Sequence, residues 1–196
     1  MKKIIYFVRH GIYDRDSQEK RLTAWGVTQI TSLGQVLLDE CGRVDPANIY
    51  LLSSTAPRCR HSSEIICGML DIVPEFHDIL WIGSDCPEGV HQSCQAVLDL
   101  IMGVPENIEI LIVVTHLEYS SDVPPLYCQK AFGTSPRFYR GEYGAGRLHR
   151  YSNEGMLQNQ NSDLEIERVP SAMMLNKQGI LKGTVNHTVS FFHETA

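Results

Sequence analysis

Tyr6-Phe7-Val8-Arg9-His10-Gly11 closes an apolar run that begins after Lys3. Apolar residues this dense over so few positions predict a buried strand rather than a surface helix. Arg9 and His10 then emerge at the strand's carboxyl end, the ligand side of an open α/β sheet. Gly11 lets the backbone turn sharply and approach a ligand closely. By itself Arg-His-Gly is also what a chance tripeptide on a strand end looks like, so its meaning depends on the rest of the chain.

A chain of 196 residues with 43% hydrophobic residues has enough apolar side chains for one domain, or one domain with a tail. The formal net charge of -6 argues against nucleic acid or an anionic membrane as partner, since both call for a basic face. It leaves room for a small basic pocket. The six cysteines, Cys41, Cys59, Cys67, Cys86, Cys94 and Cys128, form no C-x-x-C pair, which argues against a zinc ribbon or thioredoxin-type site. The opening apolar run is too short for a signal peptide. No stretch is long enough to span a bilayer. The expectation is a cytoplasmic protein with reduced thiols.

After a polar loop, Ile12 to Arg21, a helix is predicted from Ala24 to Glu40. Thr23 serves as N-cap, Gly42 ends it, and Val27, Ile30, Leu33, Leu37 and Leu38 lie at helical spacing. Gly26 and Gly34 are expected to let this helix approach the sheet closely. Asn48 to Leu52 reads as a strand. Ser53-Ser54-Thr55 is suited to capping the next helix, with Pro57 in the first turn and Cys59, Ile65, Ile66 and Met69 on the inner face. Ile72 to Phe76 reads as a short strand, His77 to Glu88 as a loop, and the following residues to Met102 as a helix. Glu109 to Thr115 is the clearest central strand, continuously apolar and β-branched from Ile110 to Val114. His116 stands at its end. A helix is predicted over Leu126 to Phe132, turns at Gly141, Gly144 and Gly146, and an edge strand over Arg147 to Tyr151. Ser152 to Ala196 is polar and weakly patterned. The strand-helix alternation predicts a layered α/β domain.

Basic groups recur at comparable places. Arg9 and His10 end the first strand, Arg58 opens the helix after the second, and His116 ends the fourth. On parallel neighbouring strands they converge. Guanidinium groups bind phosphate oxygens bidentately, and a helix N-terminus near Arg58 adds backbone donors. A neutral imidazole attacks phosphorus, and a second one donates to the transferring group. Read singly, His116 is a core histidine and Arg58 an exposed helix residue. Read with Arg-His-Gly, they form a phosphate pocket.

The motifs are those of a known family. "YFVRHG", "RLTAWGVTQITSLG", "SSTAPRCRHSSEII" and "LIVVTH" together resemble the histidine phosphatase superfamily, the phosphoglycerate-mutase-like enzymes, over roughly residues 1 to 150. Ile30 and Ser62 stand where that family's pattern has Ala and Thr. The resemblance implies a three-layer α/β/α sandwich with a mostly parallel sheet, a single domain over residues 1–196, and no metal or other cofactor. It implies that His10 accepts the phosphoryl group and that Arg9, Arg58 and His116 complete the pocket. The reaction would pass through a phosphohistidine that water hydrolyses.

The departures refine this. His116-Leu117 is similar to the bacterial phosphohistidine phosphatases, and Tyr13 to a Tyr of the mitochondrial Ser/Thr protein phosphatase. Ile12 and Asp16 replace residues usual in mutases. Ile82 takes the place of an acidic proton donor, which leaves Asp85, Glu88 or no residue for that role. Lys20 and Arg21 are candidates for the pocket rim, Trp25 and Trp81 for packing, and His187 and His193 for no chemical part. The loop His77 to Glu88 and the segment Ser120 to Gly146 are expected to line the outer pocket. The expected function is hydrolysis of a phosphorylated protein or small phosphomonoester. The alternatives are a regulatory phosphate-binding pseudoenzyme and a mutase. The sequence names neither the substrate nor the oligomeric state.

Overall fold

The opening run forms strand β1 (Ile4–Arg9), and its side chains alternate between two separate cores. Tyr6 and Val8 pack on one face, Ile5 and Phe7 on the other. That division organises the fold. The computed structural model describes residues 4–90, 92–133 and 148–151.

Among these residues the sheet has five strands. Its other members are β2 (Ile49–Ser54), β3 (Pro74–His77), β4 (Ile110–Thr115) and β5 (Leu148–Tyr151), and the spatial order is β3-β2-β4-β1-β5. β4 lies parallel between β1 and β2, with Arg9 opposite Thr115 and Ser53 opposite Val114. All six β4 residues are buried, as a strand covered on both faces must be. β5 closes the β1 edge antiparallel.

Helices α1 (Ala24–Cys41) and α2 (Pro57–Leu70) cover the Tyr6 face. Helices α3 (Cys94–Met102) and α4 (Leu117–Phe132) cover the Phe7 face. The result is a three-layer α/β/α sandwich. The chain therefore leaves β1 and β2 toward one face and β4 toward the other. A crevice opens at their carboxyl ends, the switch point where ligands of open α/β sheets bind.

Local chemistry explains most boundaries. Thr23 Oγ1 accepts from Gly26 N–H at the start of α1, and Pro57 occupies the first turn of α2. Three expectations need correction. The close contacts that Gly26 and Gly34 permit are not with sheet strands. A Cβ on Gly26 would lie 1.9 Å from the Ile12 carbonyl oxygen, and one on Gly34 would meet the Met69 sulfur of α2. The first glycine admits the loop after β1, and the second admits a neighbouring helix. The helix predicted after Glu88 begins only at Cys94, where Ser93 caps it. The helix predicted from Leu126 begins at Leu117, although Pro124 and Pro125 lie inside it. Each proline removes one backbone donor. Burial of Tyr119, Val123 and Tyr127, four residues apart, keeps the helix continuous on one face.

No helix among the described residues is long and apolar enough to cross a membrane. The glycine turns after residue 140, the weakly patterned tail, His187 and His193 lie outside the described residues.

Candidate active site

Three strand ends bring Arg9, His10, Arg58 and His116 to the crevice. The backbone of His10 extends the sheet, its N–H donating to the Thr115 carbonyl at 3.1 Å. The turn that follows is held from two sides. Gly11 N–H faces Ser62 Oγ of α2 at 3.4 Å, and a Cβ on Gly11 would come within 2.7 Å of the Gly26 carbonyl oxygen. The strand end, α1 and α2 are thus closely fitted around one turn.

His10 is buried, and its Nδ1 lies 2.8 Å from the Gly11 carbonyl oxygen. A carbonyl only accepts, so Nδ1 carries the proton and Nε2 the lone pair. Burial lowers the pKa to about 3; the Gly11 bond opposes this, and the Arg58 and Arg9 charges add to it. The ring is neutral at pH 7, the state required of a nucleophile.

The His116 ring lies 5.2 Å from that of His10, centroid to centroid, at 68°. Its Nδ1 accepts from Arg58 Nη2 at 3.2 Å, so its proton sits on Nε2, which is 3.1 Å from Ser54 Oγ and 3.6 Å from Cys59 Sγ. Burial lowers its pKa to about 2, assisted by His10 and Arg58. Ser54 Oγ also accepts from Ala56 N–H at 3.2 Å. Because a hydroxyl can both donate and accept, Ser54 can serve either tautomer of His116. The sequence offers Ser53-Ser54-Thr55 as caps for α2. α2 has no such cap; its N-cap is Ala56.

Arg58 is 3% exposed and held on three sides. Nη1 donates to Asp85 Oδ2 at 2.6 Å and Nη2 to Asp85 Oδ1 at 3.1 Å. The Tyr13 ring lies against the guanidinium, 4.7 Å from Cζ to the ring centroid. Tyr13 also meets His10 edge-on at 5.4 Å. The buried Nε has no hydrogen-bond partner among the described residues. Arg9 is half-buried beside these groups; burial lowers its pKa, and Glu118 opposes that shift.

The two proton-donor candidates separate here. Glu88 is exposed. Asp85 accepts from Trp81 Nε1 at 3.3 Å and pairs with Lys20 at 3.5 Å, besides Arg58. Desolvation favours its acid form, but the Arg58 and Trp81 hydrogen bonds outweigh that and hold the carboxyl well below the usual carboxylate range. Asp85 is an anion, not a proton donor, in this arrangement. Lys20 reaches the rim through Asp85, whereas Arg21 turns away to Glu64 at 3.6 Å. Ile82 packs against the α3–α4 core, and Trp81 both packs and donates. Of the segment expected to line the outer pocket, the part from Ser120 to Phe132 is helix α4. No group of three or more His, Cys, Asp or Glu among the described residues is placed to hold a metal ion.

Sequence reasoning missed the contacts of Ser54 and Cys59 with His116. Their signal was only positional, a polar strand end and an inward helix position. The Asp85–Arg58 pair spans 27 residues and left no local pattern.

The crevice can be set beside known structures. A protein assigned as the phosphohistidine phosphatase SixA of Nakamurella multipartitia is 18% identical, with a TM-score of 0.57 over 85% of this chain and 94% of that one. A SixA assignment from Agrobacterium tumefaciens is 15% identical, with a TM-score of 0.56 over 84% and 95%. A mutant phosphoserine phosphatase of Entamoeba histolytica, solved with phosphoserine, is 13% identical, with a TM-score of 0.51 over 84% and 96%. These likenesses show the fold, which is phosphoglycerate-mutase-like. No family model and no curated protein matches the chain.

Proposed function

We propose that this chain is a phosphatase that hydrolyses a phosphomonoester or phosphoramidate, on a phosphorylated protein or a small molecule, through a phosphohistidine on His10. One observation carries the reading: a buried, neutral His10, its Nδ1 proton held by Gly11, faces His116 beside the Arg58 guanidinium. The three solved structures described above include proteins assigned to phosphohistidine or phosphoserine, which supports this substrate class.

In the first step the Nε2 lone pair of His10 forms a bond to phosphorus as the bond to the leaving group breaks. Arg9 and Arg58 neutralise charge on the equatorial oxygens. A phosphoryl oxygen takes the place of His116 Nδ1 as acceptor from Arg58. His116 then shifts its proton to Nδ1 and donates to the phosphoryl group, with Ser54 O–H donating to Nε2. In the second step water attacks phosphorus, the P–N bond breaks, and phosphate leaves with His10 neutral again.

The leaving group is the weak point. With Asp85 ionised, no carboxylic acid stands ready to protonate an alkoxide, a contribution typically of about 10²–10⁴-fold. Aryl phosphates and phosphohistidine need less help. Steady-state kcat/KM for an aryl phosphate, phosphohistidine and a phosphoserine peptide tests the reading. The expected order places the first two well above the third. No turnover of any of them by a folded protein would refute the proposal.

A further inference from the structure

Asp85 remains to be explained. It approaches Arg58 end-on, one oxygen to each terminal nitrogen, at 2.6 and 3.1 Å. A guanidinium has two useful edges, the end formed by both Nη groups and the side formed by Nε with one Nη. Asp85 occupies the end. On the side, Nη2 donates to His116 Nδ1 and the buried Nε–H has no partner among the described residues. A buried donor without an acceptor is costly, and its natural complement is an incoming oxygen. The Arg58 Cζ also lies over the Tyr13 ring, 4.7 Å from its centroid. Asp85 is itself anchored by Trp81 Nε1 and Lys20.

We propose that Asp85 is a positioning residue: it grips the end of Arg58 so that the Nε edge, beside His116, is presented to the phosphoryl oxygens. The inference rests on the phosphatase reading above. It differs from the two other roles a carboxylate here can have. A general acid would hold a proton for the leaving group. A latch would compete with phosphate for Arg58. Positioning requires neither protonation nor release of the carboxylate.

The three roles differ in the sign and pattern of their effects. Asp85→Asn keeps the size of the side chain and removes the charge. Positioning predicts a fall in kcat/KM of about one to two orders of magnitude, equal for aryl and alkyl phosphates, together with weaker binding of inorganic phosphate. It also predicts coupling: in an Arg58→Lys background, where the fork is already lost, Asp85→Asn should add less than about threefold. Glu88→Gln, an exposed carboxylate of the same loop, should match wild type, and unchanged thermal unfolding of Asp85→Asn should separate positioning from misfolding. If that variant unfolds, Trp81→Phe, which removes the indole donor to Asp85 and keeps an aromatic ring in the core, should show the same equal loss on a smaller scale. Tighter phosphate binding by Asp85→Asn would overturn the proposal in favour of a latch. A loss confined to alkyl phosphates would overturn it in favour of an acid. Full additivity with Arg58→Lys would also overturn it. If His10→Ala and Arg58→Lys leave turnover and phosphate binding intact, the phosphatase reading itself fails; if they reduce both and Asp85→Asn does not, only the positioning role fails.

Discussion

His10 and His116 end adjacent parallel strands and face each other across 5.2 Å, yet they are held in opposite ways. His10 is fixed by a backbone carbonyl that can only accept, so one tautomer is imposed. His116 is held by side chains: Arg58 on one nitrogen, Ser54 and Cys59 on the other. Ser54 can reverse its role, so the tautomer of His116 can follow its ligand. The difference suits the roles proposed for them, a nucleophile that keeps its proton and a donor that moves its own.

Removing each ring tests this division. His10→Ala should abolish turnover within detection. His116→Ala should reduce kcat/KM by about two to three orders of magnitude, the usual effect of deleting one transition-state donor, while leaving a slow reaction at His10. Comparable residual rates in the two variants would break the comparison.

The supports come next. Arg58→Lys keeps the charge but loses the fork that holds His116 and, in the proposed reaction, the phosphoryl group. A fall in kcat/KM of about a hundredfold is expected, roughly 2.7 kcal/mol. Ser54→Ala removes the reversible partner of His116 and leaves Cys59 Sγ. It should cost about tenfold, mostly in kcat, and the purified protein should remain folded. A Ser54→Ala enzyme of wild-type rate would show that the His116 tautomer does not need to change.

Both rings are buried in the neutral form, which has a consequence for stability. Their pKa values in the folded protein are lowered, to about 3 for His10 and about 2 for His116, below the ordinary 6.5. The unfolded chain therefore takes up protons first as pH falls. This contribution to stability is present above about pH 6.5 and is lost progressively toward about pH 3 for His10 and about pH 2 for His116. Each histidine should cost about 2 kcal/mol at pH 5 relative to pH 8. Urea unfolding at pH 5, 6 and 8 reads this slope, and His10→Gln should make it shallower. An unchanged slope would show that His10 is not buried neutral.

Much of this arrangement was legible in the amino-acid order. β1 and β4 were readable because a strand covered on both faces must be apolar throughout, and Arg9, His10 and His116 stand where those runs stop. Arg58 was readable because Pro57 marks the first turn of a helix. What escaped notice was non-local or balanced between opposing preferences. The prolines of α4 spoke against a helix that burial of Tyr119, Val123 and Tyr127 sustains. Ser54 looked like a cap because local hydrogen bonding is the commoner use of a serine before a helix. In the sequence Asp85 reads as a proton donor or a solvated loop residue, because no local pattern encodes its pair with Arg58, 27 residues away.

The central claim is that His10 carries the phosphoryl group. Incubation with a labelled aryl phosphate, rapid quenching at alkaline pH and peptide mapping test it most directly. The account predicts an acid-labile, base-stable adduct on the peptide that contains His10, absent in His10→Ala and persisting longer in His116→Ala. Label on Ser54, Cys59 or His116, or none in an enzyme that turns over, would contradict it.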